Sequence, residues 1–329
     1  MSEPFAHEQP GAPVAIARHR LMFGWPRSHY CDVNGALAQI FDMYPAARDS
    51  VHCSRLTSLC YPFAMGMSVV RLTHLTDPHL YGSESELLRG IATLPSLEAT
   101  LANAQRRDWP PDAVLVTGDI VQDDPAGYAH FRRLLGALQL PVLCLPGNHD
   151  EPQAMRRELD SAPFVVGGTV DLGLWRIVLL DSTIPGSAAG RLSAESLQAL
   201  ESALAQAPQR HALVCLHHHP VPMASRWLDR VGLQNATEFL DVIDRHPNVR
   251  GIVWGHVHQS YDALRKGVRL LATPSTCAQF LPQSEQFAID RRPPGYRTLE
   301  LKADGSILTD LVWIESGAGG GSKSAWAAA

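Results

Sequence analysis

The stretch Pro141-Val-Leu-Cys-Leu-Pro-Gly-Asn-His-Asp150 joins an apolar run to a polar turn. Its first half has the length and composition of a short buried strand, and its second half places Asn148 between a turn glycine and His149-Asp150. A neutral carboxamide is a poor acid, base or nucleophile, but its oxygen can coordinate a metal ion. The stretch therefore predicts a β-strand whose C-terminal end delivers a metal ligand.

The composition is that of a globular protein. The chain has 329 residues, of which 45% are hydrophobic and 19% charged, so it can bury a sizeable core. Its formal net charge of −5 lowers the expectation of a nucleic-acid or membrane-surface partner. The 6 cysteines form no C-x-x-C pair. Together with the absence of a signal-peptide pattern, this predicts a soluble protein of the reducing cytoplasm.

The chain divides into three parts. Residues 1–66 are irregular and are expected to be a disordered N-terminal extension. A start of translation at Met65 or Met67 would leave them without a folded role, and the alternative is an appended regulatory or docking segment. Residues 67–315 are expected to form the catalytic domain, and residues 316–329 a flexible Gly/Ala tail.

Regular patterning begins near residue 68. Strand-like runs are expected at 68–75, 113–118, 141–145, 174–181, 212–216, 251–255, 268–273, 297–302 and 307–314. Helices are expected at 95–107, 126–139, 151–160, 193–206 and 235–245. Alternating strands and helices followed by further strands predict a layered α/β domain.

Five of these runs end in polar side chains that can bind a metal. The donors are Asp77 and His79, Asp119, Asn148, the triplet His217-His218-His219, and His256 and His258. In α/β proteins, sites form at the carboxyl ends of the strands. In D-x-H and H-x-H, side chains two residues apart on an extended chain point to the same side, so each pair is expected to face one site.

The donor set favours two ions rather than one. Oxygen and nitrogen donors without thiolate suit Mn, Fe or Zn, and seven side chains exceed the needs of one tetrahedral ion. Two ions about 3.5–4 Å apart form a clamp for phosphoryl displacement. Asn148 coordinates without adding negative charge, so a small positive surplus remains to attract a phosphodiester.

These motifs resemble the signature of the calcineurin-like metallophosphoesterases over about residues 68–315. The signature elements read Asp77-x-His79, Gly118-Asp119, Gly147-Asn148-His149-Asp150, His218 and Gly255-His256-x-His258. The resemblance implies a four-layer α/β/β/α sandwich and a dinuclear site.

Within that family, the chain most closely resembles the bacterial class III 3′,5′-cyclic-AMP phosphodiesterases. The narrower similarity lies in His217–Pro222, Trp227–Asp229, Leu233–Ala236, Leu270–Phe280 and Pro294–Leu301. None of these stretches follows from metal chemistry; only the resemblance marks them, and the stretch Ala272–Phe280 favours cyclic AMP as the substrate.

The resemblance implies a ligand set. One ion would be held by Asp77, His79, Asp119 and His258, and the second by Asp119, Asn148, His218 and His256. His218 is preferred because of its spacing from Pro220 and because alternation from Leu216 points it the same way, with His217 as the alternative. The implied cofactors are two divalent ions, Fe or Mn, with Zn possible. Substrate contacts are expected from His79, Asp119, Asn148, His149 and His258.

The mechanism implied is attack of a metal-bridging hydroxide on phosphorus, which converts 3′,5′-cyclic AMP to 5′-AMP. His149 is the candidate for stabilising the developing charge or protonating the leaving oxygen, or else it is only structural.

Other polar residues near the motifs have simpler interpretations. His74 is expected to be a satisfied core histidine, and Asp123 and Asp124 are expected to cap a loop or orient a ligand. Asp150 and Asn235 stand at helix starts and are expected to be N-caps. The weaker alternatives are that Asp150 helps to orient a ligand and that Asn235 contacts the substrate.

Two other functions compete with cyclic-AMP hydrolysis. One is a broad phosphodiesterase acting on 2′,3′-cyclic nucleotides or glycerophosphodiesters, and the other is a non-catalytic metal-binding scaffold. The expected partner is a small cyclic nucleotide, with no nucleic acid and no membrane, and the oligomeric state stays open.

Overall fold

The computed structural model describes residues 69–107 and 109–314. The predicted N-terminal extension and C-terminal tail lie outside the described residues. Within the described part, nine expected strands and five expected helices are confirmed, most bounds differing by one or two residues.

One sheet has six strands. In spatial order they are β16 (Ile307–Trp313), β15 (Gly295–Lys302), β1 (Val69–Leu75), β4 (Ala113–Thr117), β5 (Val142–Leu145) and β6 (Phe164–Val166). Strands β1, β4, β5 and β6 run parallel to one another. Strand β15 is antiparallel to both of its neighbours, β1 and β16. The ends of β1, β4 and β5 therefore meet at one edge of this sheet.

The other sheet also has six strands. In spatial order they are β11 (Tyr261–Arg265), β12 (Val268–Ala272), β10 (Val249–Trp254), β9 (His211–Cys215), β8 (Trp175–Leu179) and β7 (Gly168–Leu172). The four inner strands are parallel, and the two edge strands are antiparallel to them. Two short ribbons complete the strands: β2 (Leu87–Leu88) with β3 (Ile91–Ala92), and β13 (Gln279–Phe280) with β14 (Ile289–Asp290).

Sequence patterning missed seven of these strands. The four ribbon strands have two residues each, too few to show a period of two, and β6 has three. The edge strands β7 and β11 are partly exposed and lack a continuous apolar run.

Five α-helices are described. They are α1 (Thr93–Gln105), α2 (Tyr128–Gly136), α3 (Pro152–Glu158), α4 (Ala194–Ala205) and α5 (Ala236–Arg245). The first three pack on the β1 sheet, in a cluster that joins Leu97, Phe131 and Met155 to Val114. The last two pack on the β9 sheet through side chains such as Leu200 and Phe239.

The sheets pack against each other through a third apolar cluster. Alternation along β4 shows how one strand serves two layers: Leu115 faces the other sheet, whereas Val114 and Val116 face the helices. The expected four-layer α/β/β/α sandwich is confirmed. Strands covered on both faces explain why the inner runs are continuously apolar.

His74 ties the two sheets together. Its Nε2 lies 2.8 Å from Thr117 Oγ1 on β4, and its Nδ1 lies 2.7 Å from Thr273 Oγ1, just after β12. Burial lowers the pKa of His74 to about 3, so the ring is neutral. The interpretation of His74 as a satisfied core histidine is confirmed.

Candidate metal centre

The donor side chains project from loops at one edge of the two sheets. The loops that follow β1 and β4 are hydrogen-bonded side by side, with Asp77 N donating to Gly118 O at 3.1 Å and His79 N to Asp119 O at 3.0 Å. A Cβ at Gly147 would overlap Asp119, and a Cβ at Gly255 would overlap Thr76 and Asp77. The glycines of these motifs are therefore needed for close approach around the carboxylates.

The backbone at the donors is strained. Five of them have positive φ: Asp77 (52°), His79 (50°), Asp119 (47°), His256 (67°) and His258 (47°). This region costs an L-residue about 1–2 kcal/mol, with Asp and His among the types that tolerate it better. Clustered strain is typical of functional sites.

The explanation from strand alternation was therefore wrong, because the pairs 77/79 and 256/258 lie beyond their strands in left-handed conformations.

One group of donors converges around His258. Its Nε2 lies 3.0 Å from His79 Nε2 and 3.5 Å from Asp77 Oδ1. His79 Nε2 in turn lies 3.8 Å from Asp119 Oδ2. All four side chains are buried, and three of them form a compact group of potential metal ligands.

A second group converges around His217. Its Nε2 lies 3.2 Å from Asn148 Oδ1, 3.3 Å from Asp119 Oδ2 and 3.2 Å from His256 Nδ1. Asp119 Oδ2 thus faces both groups, which is the position of a bridging carboxylate. The seven donor side chains form two adjacent sets that share one acid.

The tautomers of two histidines follow from their outer partners. His258 Nδ1 lies 2.6 Å from Ala278 O, and His217 Nδ1 lies 2.7 Å from Thr117 O. A carbonyl oxygen only accepts, so each Nδ1 donates its proton outward, and Nε2 is the ring nitrogen that faces the centre and can bind a cation there. The centre therefore concentrates carboxylate, amide and imidazole acceptors, an arrangement that fits divalent cations.

The electrostatics agree with that interpretation. Burial lowers the pKa of His79 to about 4 and lowers that of His256 well below its ordinary value, so both rings are neutral and able to coordinate. Burial also acts against a charged His217, but the Asp119 and Asp77 carboxylates outweigh it and raise its pKa to about 9. The carboxylates thus draw positive charge to this point.

His217 and His218 of the histidine triplet have different surroundings. His217 stands among the inner donors, whereas His218 Nδ1 lies 2.8 Å from Ser182 Oγ and its Nε2 has no hydrogen-bond partner in the described part of the chain. The strand ends at Cys215 and a bend begins at residue 217, so strand alternation does not extend to the triplet. His218 nevertheless offers a ring nitrogen within 4.8 Å of those of His217 and His256.

His149 lies at the rim of the centre. Its backbone N–H donates to Asp119 Oδ1 at 2.9 Å, and its ring centroid lies 5.3 Å from that of His79. Its Nδ1 lies 2.9 Å from Asp123 Oδ2 and 2.8 Å from Gln122 Nε2. Asp123 orients this ring, one of the two roles expected of it, whereas Asp124 accepts from Ala126 N and caps a short 3₁₀ turn.

The expectation that Asp150 caps a helix was wrong. Glu151 caps α3 by accepting from Gln153 N and Ala154 N. Asp150 is buried and accepts four hydrogen bonds, from the backbone N–H groups of Ile120, Val121 and Gly147 and from the Tyr128 hydroxyl. It therefore braces the Asp119 loop against the Asn148 loop.

The expectation that the Asn235 side chain caps a helix was wrong. Asn235 precedes α5 but makes no cap; its amide accepts from Leu192 N and donates to Leu192 O and Glu238. The carbonyls of Thr117 and Ala278 were missed, because a backbone acceptor leaves no mark in side-chain patterns.

None of the helices in the described part of the chain combines the length and apolar character that a membrane crossing requires. Of the described cysteines, Cys144, Cys215 and Cys277 are free and buried.

Comparisons with known proteins agree with this geometry. The family model described as calcineurin-like phosphoesterase matches residues 70–260. The 3′,5′-cyclic adenosine monophosphate phosphodiesterase CpdA of Pseudomonas aeruginosa is 42% identical over 247 residues, covering 75% of this chain and 90% of that protein. The protein of the same name from Escherichia coli K12 is 42% identical over 255 residues, covering 77% of this chain and 92% of that protein.

A solved structure of a dimetal phosphatase from Danio rerio superposes with a TM-score of 0.52 at 16% identity, covering 73% of this chain and 98% of that chain. At this identity the likeness concerns the fold alone.

Proposed function

Since the chain belongs to the calcineurin-like phosphoesterase family, we propose that it hydrolyses 3′,5′-cyclic AMP to 5′-AMP. The observation that carries the proposal is the convergence of inward-facing acceptors on two adjacent points that share Asp119. The relatives named as cyclic-AMP phosphodiesterases support the substrate, because they align with most of this chain.

We assign Asp77, His79, Asp119 and His258 to one divalent ion. The second is assigned to Asp119, Asn148, His256 and His217, which replaces His218 because the His217 Nε2 stands among the other three donors. Bound there, two divalent ions would supply Lewis-acid activation of water and of the phosphate oxygens. Fe and Mn are the proposed ions, with Zn as a substitute.

The protein's own groups then orient the substrate and move protons. Hydrolysis adds the oxygen of water to phosphorus, breaks the bond to the 3′ oxygen and returns a proton to that oxygen. His149 is the proposed donor of that proton, because Asp123 engages its Nδ1 and its side chain is 32% exposed at the rim. His79, Asp119, Asn148 and His258 are proposed to border the bound phosphate.

We also propose the extent of the catalytic unit, its location and its partner. Residues 67–315 would form the catalytic unit of a cytoplasmic enzyme whose partner is a small cyclic nucleotide. The net charge of −5 supports this over a nucleic-acid substrate, which would want a basic groove.

The test compares turnover of cyclic AMP, cyclic GMP, 2′,3′-cyclic AMP and bis-p-nitrophenyl phosphate after chelation and addition of Mn²⁺. We expect cyclic AMP to give 5′-AMP with the highest kcat/KM and the chelated protein to be inactive. Comparable efficiency on all four esters would favour the broad phosphodiesterase, and metal binding without any turnover would favour the scaffold.

A further inference from the structure

Three aromatic side chains form a cluster beside the candidate metal centre: Trp227, Phe280 and Phe287, here called the aromatic platform. Trp227 and Phe280 come from the stretches of narrower resemblance that metal coordination does not require. They are 53 positions apart in the sequence, yet their ring centroids lie 5.4 Å apart. The fold therefore brings two of these stretches together beside the centre.

The platform is coupled directly to the donor set. The Phe280 ring stacks on the imidazole of His258 with a centroid separation of 3.9 Å and an interplanar angle of 4°. The backbone N–H of Phe280 also donates to His258 O at 3.1 Å. Phe280 therefore holds one face of a proposed ligand ring and marks the inner edge of the platform.

Phe287 forms the outer part of the platform. Its centroid lies 5.2 Å from those of both Trp227 and Phe280, in edge-to-face geometry. It is 42% exposed, which is high for a phenylalanine packed against two other aromatic rings. Phe287 thus offers ring surface to solvent within two ring contacts of His258.

The face of Phe287 already accommodates a flat, delocalised group. The guanidinium of Arg89 lies over this ring at 4.9 Å, and Arg89 stands in the turn between β2 and β3. Guanidinium groups and nucleobases both stack on aromatic faces. An exposed arginine side chain can move aside and cover a base that takes its place.

We propose that the aromatic platform, together with Arg89, is the nucleobase subsite of the enzyme. A purine base stacks on Phe287 while the phosphate lies at the metal centre, with the ribose between them. This inference rests on the proposed function and adds to it the element that selects a nucleotide over other phosphodiesters. Phe287 is a specificity residue, and Phe280 positions both the platform and His258.

A cavity lined in part by His219 competes with the platform for the same role. It has a volume of about 380 Å³ and is lined by residues that include His219, Val221, Arg230 and Gln234. Both ring nitrogens of His219 are enclosed and lack partners in the described part of the chain, so they present no accessible donor or acceptor to a base. The cavity also contains no aromatic wall apart from this imidazole, which favours the platform.

The test measures binding of two ligands that differ only by the base, 5′-AMP and ribose 5-phosphate. Titration calorimetry on the full chain loaded with Mn²⁺ gives the Kd of each, independently of turnover. The wild-type protein should bind 5′-AMP more tightly. Phe287→Ala should weaken the binding of 5′-AMP by about 5- to 150-fold, the range for one base–aromatic stack, and change the Kd of ribose 5-phosphate by less than about 2-fold.

Three controls complete the experiment. Phe287→Trp keeps an aromatic ring and should therefore retain affinity for 5′-AMP. Arg230→Ala tests the cavity lined by His219 and Arg230. Leu264→Ala is the control at an unrelated site, because this side chain is 73% exposed on an edge strand. Equal wild-type affinity for the two ligands, an unchanged Phe287→Ala variant, or loss of 5′-AMP binding in Arg230→Ala would each overturn the inference. Failure of the proposed function would instead appear as a wild-type protein that does not turn over cyclic AMP.

Discussion

The metal centre and the aromatic platform adjoin at His258 but are built in opposite ways. The donors of the centre are nearly all buried, five of them have a strained backbone, and outer partners fix their orientation. The platform comes from the residue before a 3₁₀ turn, from β13 and from the loop between β13 and β14, and its outer ring is substantially exposed. This contrast fits the proposed roles, in which the buried centre carries out phosphoester hydrolysis and the exposed platform selects the ester.

The largest expected effect separates two neighbouring histidines of the centre. His217→Ala removes an inward-facing donor, so we expect the bound metal to fall from two ions towards one and kcat to fall more than about 100-fold. His218→Ala removes a ring bonded to Ser182 and should lower metal affinity by only about 10-fold, as for groups that support a ligand. Elemental analysis and calorimetric metal titration measure both effects. If His218→Ala instead causes the larger loss of bound metal, His218 rather than His217 is the metal ligand.

A smaller effect is expected from adding one methyl group at the centre. Gly147→Ala places a Cβ against Asp119 and should destabilise the protein by about 1–3 kcal/mol while lowering its metal affinity. Gly136→Ala is the matched control, because its Cβ would meet only Phe164 at an ordinary 3.8 Å. Denaturant unfolding and metal titration should distinguish the two variants. If the two variants have equal unfolding free energies and equal metal affinities, the centre is not tightly packed around Gly147.

The smallest effect tests the brace beneath the centre. Tyr128→Phe deletes one of four hydrogen bonds to the buried Asp150 carboxylate and should cost about 1–2 kcal/mol of unfolding free energy. Tyr81→Phe is the comparison, since this partly exposed side chain lies outside the brace, and it should change stability by less than about 0.5 kcal/mol. If the Tyr128→Phe variant is as stable as the wild type, Asp150 does not hold the Asp119 and Asn148 loops together.

Much of the architecture is predictable from the sequence, because buried parallel strands leave continuous apolar runs and five of those runs end in a polar motif. Asp77, Asp119 and Asn148 could be assigned to one region on that basis alone. The choice between His217 and His218 depended on where β9 ends, and a strand boundary is not encoded sharply enough to decide it. The roles of Asp150 and Glu151 were unpredictable for a similar reason, since either acid suits a helix start.

The aromatic platform could not be predicted from the sequence, for a different reason. Trp227, Phe280 and Phe287 lie in segments without useful periodicity, and only the tertiary fold brings their rings together. The narrower resemblance marked two of them without supplying a physical role.

The most direct test of the central claim is anomalous diffraction from crystals of the full chain grown with Mn²⁺. We expect two manganese peaks flanking the Asp119 carboxylate, one bounded by Asp77, His79 and His258 and the other by Asn148, His217 and His256. A single peak, or none at this edge of the sheets, would contradict the shared-acid dinuclear centre on which the proposed phosphodiesterase activity depends.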